Sequence, residues 1–394
     1  MRERVPFYAA RLRTSHLDSI EELATLPFTE KDDFRDNYPF GLFAVPLQEV
    51  VRVHASSGTT GRPVVTGYTR RDLERWGECM ERVLRAASVT ETDIVQNGYG
   101  YGLFTGGFGF HQGAERIGCT VVPSGAGVTK RQVLLMQDLG TTILACTPSY
   151  ALVLAEALAE EKVRHQLKLR AGFFGAEPWT EGMRRQIEAG LGLEAFDIYG
   201  LTELGGPGIA AECHEHNGLH IFEDHFLAET IEPGSGRRLP RGEEGELVLT
   251  SLRREAAPVL RYRTRDRTIL TDEPCKCGSP FVRMLKVRGR TDDMLVIRGE
   301  NVFPSQIEAI LLDIPGLSGN YQLVVDRESR HLDTMDVLVE AVTGFERDGL
   351  ERLAQERIRE TIGLGCKVTV LPAGSLPRSE GKAQRVVDRR DLRG

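Results

Sequence analysis

From Thr92 to Gly192 short apolar runs alternate with stretches in which apolar residues return every three or four positions. "TDIVQNGYG" predicts a strand entering a glycine-rich turn. "FGFHQGAERIG" predicts a helix closed by Gly118, and "CTVVPSG" the next strand. "KRQVLLMQDLG" predicts a helix ending at Gly140, and "TTILACTPS" a buried strand. "RAGFFGAE" is a further strand, followed by a helix in "AEPWTEGMRRQIEAGLG". Strands joined by helices predict a mostly parallel sheet covered on its faces. Ligands of such sheets sit beyond the carboxyl ends of the strands, so the turns at 98–109 and 172–175 should line the site.

From about Gly218 the pattern changes. "EDHFLAETIEPGSGRRLPRGEEGELVLTSLRREAAPVLRYRTRD" alternates apolar and polar residues between Pro-Gly and Gly-Glu turns, which predicts a β-rich subdomain. After "VRGRTDDMLVIRGENVFP" come a helix ("SQIEAILLDI"), two strands ("GNYQLVVDR" and "MDVLVEAV"), a helix ("FERDGLERLAQERIRETIG") and a strand ("CKVTVLP"). This predicts a small α+β unit of roughly 100 residues. The expected class is α/β: an N-terminal domain over 1–291 and a mobile C-terminal α+β domain over 292–394.

Composition narrows the function classes. The 394 residues are 41% hydrophobic and 27% charged, with a net charge of −7. A broad nucleic-acid surface is not expected at that charge. No apolar run approaches the roughly 20 residues that span a bilayer, and "MRERVPFYAARLRTSH" has no apolar signal core, so no membrane partner is expected. Seven cysteines without a disulfide spacing fit a reducing cytoplasm.

The chemistry gathers at "HASSGTTGRPVVTGYT", His54–Thr69. Gly58 and Gly61 let backbone amides turn inward around an anion, and Ser56, Ser57, Thr59 and Thr60 add hydroxyls. The Lys-Ser/Thr ending of a Walker loop is missing. Taken alone the stretch reads equally as a Ser/Thr-rich hairpin.

It is not alone. "DIYGLTELGGPGIAAEC", "VLRYRTRD", "GRTDDMLVIRGENVFPSQIE" and "PRSEGKAQRVVDRR" follow in that order. Together they resemble the adenylate-forming superfamily of acyl-CoA synthetases, and most closely the phenylacetate–CoA ligase family. "FTEKDDFRDNYPFGLFAVP", "YGYGLFTGGFGFHQGAERIG" and "FFGAEPW" are similar to that family too, so the likeness runs from about Pro6 to the end. The family's longer N-terminal helical lead is nearly absent.

The resemblance implies two half-reactions. A carboxylate attacks the α-phosphate of ATP, giving an acyl-adenylate and pyrophosphate; the thiol of coenzyme A then displaces AMP. It assigns Ser56, Ser57, Gly58, Thr59, Thr60 and Gly61 to the phosphates, with Arg62 where the family has lysine. Glu203 would hold Mg2+, and Thr202 would touch the α-phosphate. Gly175, Ala176, Glu177, Asp197, Tyr199 and Gly200 would surround the adenine, with Tyr199 packing on it. Asp266 would accept from the ribose hydroxyls, unless it pairs with Arg263 or Arg265, and Arg290 would join the nucleotide contacts. Lys382 would bind the substrate carboxylate and the α-phosphate together and neutralise transition-state charge. Asp292 stands at the family's hinge; rotation there would withdraw Lys382 and bring in "VIRGEN" for the thioester step.

The aryl pocket is expected from Tyr101, Phe104, Gly107, Phe108, Phe174, Gly205, Gly206 and Pro207. Relatives often carry methionine where this chain has Gly205. Its loss implies room for a substituted benzoate or an aminobenzoate in preference to phenylacetate. Cys213 and His220, with the Cys275–Cys277 pair, match a pattern that some family members carry, and form a candidate closed Zn2+ site. His214 and His216 compete for it. The first reading is therefore an aryl-acid:CoA ligase. A stand-alone adenylating enzyme that feeds a carrier protein is the second, and a non-catalytic nucleotide-binding relative the third. A homodimer remains open.

Overall fold

The computed structural model describes residues 1–13, 16–56, 62–290, 295–297, 300–327, 333–345, 349–378 and 383–390. Ser57, Gly58, Thr59, Thr60, Gly61, Asp292 and Lys382 lie outside the described residues. The chain forms two compact units that interleave in sequence. The first takes 1–146, 166–176 and 194–287; the second takes 147–165, 177–193 and 288–394.

The first unit opens with helices α1 (Pro6–Arg11) and α2 (Lys31–Asp36) and a separate hairpin, β1 (Arg52–Ala55) with β2 (Val65–Tyr68). Helix α3 (Arg70–Arg85) starts on a reciprocal cap: Asp72 N–H donates to the Thr69 hydroxyl at 3.0 Å, and Thr69 N–H to the Asp72 carboxylate. Then come β3 (Ile94–Asn97), α4 (Gly106–Ile117), β4 (Thr120–Val122), α5 (Thr129–Leu139) and β5 (Ile143–Cys146). Gly118 and Gly140 end α4 and α5 with φ of 96° and 66°, the left-handed exit that glycine adopts without strain. Helix α6 (Pro148–Glu161) belongs to the second unit. β6 (Ala171–Gly175) returns to the first, and α7 (Glu181–Leu191) to the second.

The rest of the first unit is strand: β7 (Glu194–Leu201), β8 (Gly206–Ala211), β9 (Leu219–Ile221), β10 (Phe226–Ile231), β11 (Glu244–Ser251), β12 (Tyr262–Thr271) and β13 (Arg283–Met284). The sheet path runs β10-β11-β12-β13-β9-β8-β7-β6-β5-β3-β4. From β4 to β7 every pairing is parallel; from β7 to β10 every pairing is antiparallel. The expected parallel sheet and β-rich subdomain are thus continuous. One core, from Val5 to Met284, packs this unit.

In the second unit follow β14 (Gly289–Arg290), β15 (Leu295–Ile297), β16 (Glu300–Val302), α8 (Pro304–Leu312), β17 (Leu317–Arg327), β18 (Asp333–Ala341), α9 (Leu350–Ile362), β19 (Lys367–Leu371) and β20 (Val386–Asp388). A sheet in the order β19-β18-β17-β20 packs against α8 and α9 through a separate core from Leu295 to Val370. Among the described residues no helix is long and apolar enough to cross a membrane.

Candidate active site

Two bulges set the geometry. On β7 the register with β8 shifts between Tyr199 and Gly200, just before the turn Thr202–Leu204. A Cβ on Gly200 would collide with the Gly206 carbonyl, so only glycine lets the two strands approach here. On β12, Thr264, Arg265 and Asp266 stand opposite Leu247 alone, and Arg265 takes φ of 67°. Bulges re-aim side chains. Here Tyr199 Oη donates to Asp266 Oδ2 at 2.5 Å, joining residues from two separate motifs. The flanking arginines go elsewhere: Arg263 to Glu246 at 2.6 Å, and Arg265 to Glu30 at 2.8 Å.

Beside this pair the turn carries Thr202 and Glu203, both 7% exposed. Among the described residues the Glu203 carboxylate has no hydrogen-bond or ion-pair partner. Burying a carboxylate is costly unless it is paired or ligates a cation, so the site fits a hard ion. Asp197 lies earlier on β7, its N–H donating to the Glu212 carboxylate at 2.8 Å. Gly175 ends β6 against Ile198, and Ala176 follows with φ of 71°.

The described end of the glycine-rich stretch is closed by Ser56. Ser56 N–H donates to the Val64 carbonyl, and the Ser56 hydroxyl accepts from Val64 N–H, both at 2.9 Å. The β1–β2 pairing thus continues one residue past Ala55. Arg62 lies 5.9 Å over the Tyr38 ring.

The expected aryl residues divide. Tyr101 and Phe108 meet edge to face at 5.4 Å, and Asn97 Nδ2 donates to Tyr101 Oη at 2.7 Å and to the Gly107 carbonyl at 2.6 Å. Burial pushes the Tyr101 phenol up to about 12. Phe104 is half-buried and lies where a Cβ on Gly106 would stand. Pro207 accepts from Trp76 Nε1 at 2.8 Å through its carbonyl. Phe174 is fully buried within β6 and offers no open wall. His54, Tyr68 and Trp76, which the sequence reading did not place here, form a ring cluster that meets Phe108 through His54: the His54 ring lies 5.5 Å from Phe108, 5.4 Å from Tyr68 and 5.8 Å from Trp76. No periodicity marks them; only the β1–β2 pairing brings His54 and Tyr68 onto neighbouring strands.

Gly205 requires a correction. The space expected at this position is not open. Its φ is 99°, and a Cβ would strike the Arg254 guanidinium, which donates to the Thr66 hydroxyl at 3.0 Å and the Gly67 carbonyl at 2.7 Å. Gly206 has φ of 103° and faces Thr105 and Trp76. A side chain at 205 would sit on a left-handed backbone, and the Arg254 guanidinium occupies the direction its Cβ would take. Gly205→Met is therefore expected to cost about 1–2 kcal/mol in left-handed strain and to slow large and small aryl acids alike. A tenfold change in the kcat/KM ratio between phenylacetate and a substituted benzoate would restore the pocket argument.

In the second unit, Glu177 holds two backbone amides. Its Oε1 accepts from Ser149 N–H at 2.7 Å, and its Oε2 from Ala383 N–H at 3.0 Å. Arg290 lies half-buried in β14.

The cysteine and histidine motifs converge. The ligand atoms of Cys213, His220, Cys275 and Cys277 all lie within 4.8 Å of one another. Cys213 Sγ is 3.8 Å from Cys275 Sγ, and Cys277 Sγ is 3.3 Å from His220 Nε2. A tetrahedral zinc with bonds of about 2.3 Å to sulfur would set sulfurs about 3.8 Å apart. His220 Nδ1 faces the Phe281 carbonyl at 3.4 Å, leaving Nε2 to ligate. The competing histidines turn away: His214 Nδ1 is 2.9 Å, and His216 Nε2 3.0 Å, from Glu194. Buried Arg283, opposite His220 in the β13–β9 pairing, donates to the Asn217 and Glu273 carbonyls. It ties together the two loops that carry the ligands.

Comparison with known proteins gives the family. The model of the AMP-binding enzyme family matches residues 11–252, and that of the AMP-binding enzyme C-terminal domain matches 299–390. The phenylacetate-coenzyme A ligase of Thermus thermophilus is 49% identical, over 98% of this chain and 93% of its own length. That of Escherichia coli is 47% identical, over 100% and 92%. A solved 2-hydroxyisobutyryl-CoA ligase in the postadenylation state, complexed with 2-HIB-AMP, is 30% identical with a TM-score of 0.92, over 99% of this chain and 86% of its own. The chain belongs to the AMP-binding, adenylate-forming enzymes and, within them, to the phenylacetate–CoA ligase family.

Proposed function

We infer that the protein is an AMP-forming acid–CoA ligase that activates an aryl acid as its adenylate and passes the acyl group to coenzyme A. The observation that carries this reading is the 2.5 Å contact of Tyr199 with Asp266 beside the buried Glu203, in a chain of this family. Tyr199 supports the adenine, and Asp266 accepts from the ribose hydroxyls. The amides and hydroxyls of 56–61 hold the phosphates. Glu203 would hold Mg2+, which supplies neutralisation of the phosphate charge when bound. Lys382 draws the substrate carboxylate onto the α-phosphate and offsets charge that grows in the transition state. Rotation of 292–394 about Asp292 then exchanges Lys382 for 296–301 and opens the thioester step. Asp292→Pro, with φ fixed, is expected to leave adenylation largely intact and block thioester formation; unchanged CoA turnover would count against the pivot.

The ring packs near Phe108 and Tyr101. With Arg254 occupying the direction of a Cβ at Gly205, the extra room that argued against phenylacetate is filled, and an arylacetate of that kind is the first substrate to test. Coenzyme A is preferred over a carrier protein because the near-half-identical relatives are CoA ligases. Cys213, His220, Cys275 and Cys277 would hold a structural Zn2+, whose role is to tie their loops together. The cytoplasm is the expected compartment. A panel of phenylacetate, benzoates and aminobenzoates, assayed for thioester formation with CoA and with a carrier protein, tests the substrate and the acceptor together. Phenylacetyl-CoA as the leading product supports this reading; acylated carrier without CoA product overturns it.

A further inference from the structure

Described residues before and after Lys382 are held by carboxylates within the second unit. On one side is Glu340 of β18, 1% exposed, which accepts from Gly374 N–H at 3.1 Å and from Leu376 N–H at 2.6 Å. Arg378 forks between Glu340, at 2.8 Å through both terminal nitrogens, and Glu156 of α6, at 3.1 Å. On the other side Glu177 accepts from Ala383 N–H with one oxygen. Its other oxygen accepts from Ser149 in the first turn of α6, where helix amides favour an anion. Two residues on, the Arg385 guanidinium lies 3.4 Å from Ser149 Oγ, 4.6 Å over the Tyr321 ring and 3.9 Å from buried Glu308 of α8. Val386–Asp388 then pairs with β17.

Resting on the reading of Lys382 above, we propose that Glu177, Arg385 and Glu308 are positioning residues for the adenylation half-reaction, which seat Lys382 by fixing Ala383 and Arg385. A carboxylate whose two oxygens bridge a helix start and the residue after Lys382 fixes the point from which that side chain reaches. Four carbons of lysine stem turn a small backbone error into a lost contact, and misplacement by about 1 Å costs roughly a hundredfold in rate.

Glu308 gives this seat a pH signature. One of its oxygens has no hydrogen-bond partner. The groups facing it are Arg385, Glu177, Tyr321 and Thr180; burial outweighs the arginine and holds its carboxyl up at about 7. Arg385 pulls that value down, so the seated arrangement holds fewer protons and strengthens as pH rises through about 7.

The test compares wild type, Glu177→Gln, Arg385→Ala, Arg385→Lys, Glu308→Gln and Lys382→Ala in two assays: pyrophosphate exchange with acid and ATP, and single-turnover thioester formation from preformed acyl-adenylate. Equal melting temperatures qualify each variant, and the conservative Gln and Lys replacements serve where Arg385→Ala does not fold. Glu177→Gln and Arg385→Ala are expected to lower exchange roughly ten- to a hundredfold, chiefly in kcat, with the thioester step within about twofold. Arg385→Lys should recover part of the loss, and Glu308→Gln should flatten the rise in exchange through about pH 7. Equal losses in both assays, or no loss in exchange while Lys382→Ala abolishes it, overturn the proposal alone. Full exchange by Lys382→Ala overturns the lysine assignment and the proposal with it.

Discussion

Lys382→Ala is expected to abolish acyl-adenylate formation and to spare thioester formation from preformed acyl-adenylate. The first half-reaction brings a carboxylate against a triphosphate, so anion meets anion along the line of attack. An ammonium that bridges both lowers the repulsion only when the two are together, which is where transition-state stabilisation is gained. Loss of one such donor in a dry site costs about 10²–10³-fold. The second half-reaction starts from a mixed anhydride whose carboxylate charge is already gone, and the lysine has nothing left to neutralise. Pyrophosphate exchange and single-turnover thiolysis separate the two steps. Equal loss in both, with folding intact, would place Lys382 in the scaffold.

Stripping the cysteine–histidine cluster is expected to have the next largest effect, on stability. Cys213 and His220 are buried, and Arg283 ties together the loops that carry the four ligands. A structural ion is folding energy, since the site does not exist in the unfolded chain. Cys213→Ser, or chelation under mild denaturant, should lower Tm by about 5–10 °C, with roughly one equivalent of zinc lost per chain. The surviving folded fraction should keep its KM for ATP and acid, because the ion's role is to tie these loops together. Metal-free purified protein with the same Tm in chelator would remove zinc from the account.

Much of this was legible in the sequence where local pattern and chemistry agree. The helices closed by Gly118, Gly140 and Gly192 were predicted because the left-handed exit is written in one residue. Helix α6 was not: "PSYALVLAEALAEE" follows the apolar strand β5 directly and is apolar on most of its sides, so no amphipathic stripe separates it from the strand. The grouping of Cys213, His220, Cys275 and Cys277 was legible because their residue types are rare. Arg283, which holds their loops, was not, since its role depends on the β13–β9 pairing. The Tyr199–Asp266 contact depends on two bulges, and register shifts leave no local signature. Gly205 was misread because a missing side chain suggests space, whereas the backbone there has φ of 99° and Arg254 fills the direction a Cβ would take. Glu177 was expected beside a nucleotide, but which backbone its carboxylate would hold depends on Ser149 and Ala383, far away along the chain.

The most direct test of the central claim follows the fate of ATP with phenylacetate, first without and then with coenzyme A. The account predicts acid-dependent pyrophosphate exchange in the absence of any thiol, and AMP released in step with phenylacetyl-CoA once coenzyme A is added. Release of ADP, or no exchange with any aryl acid in the panel, would contradict it.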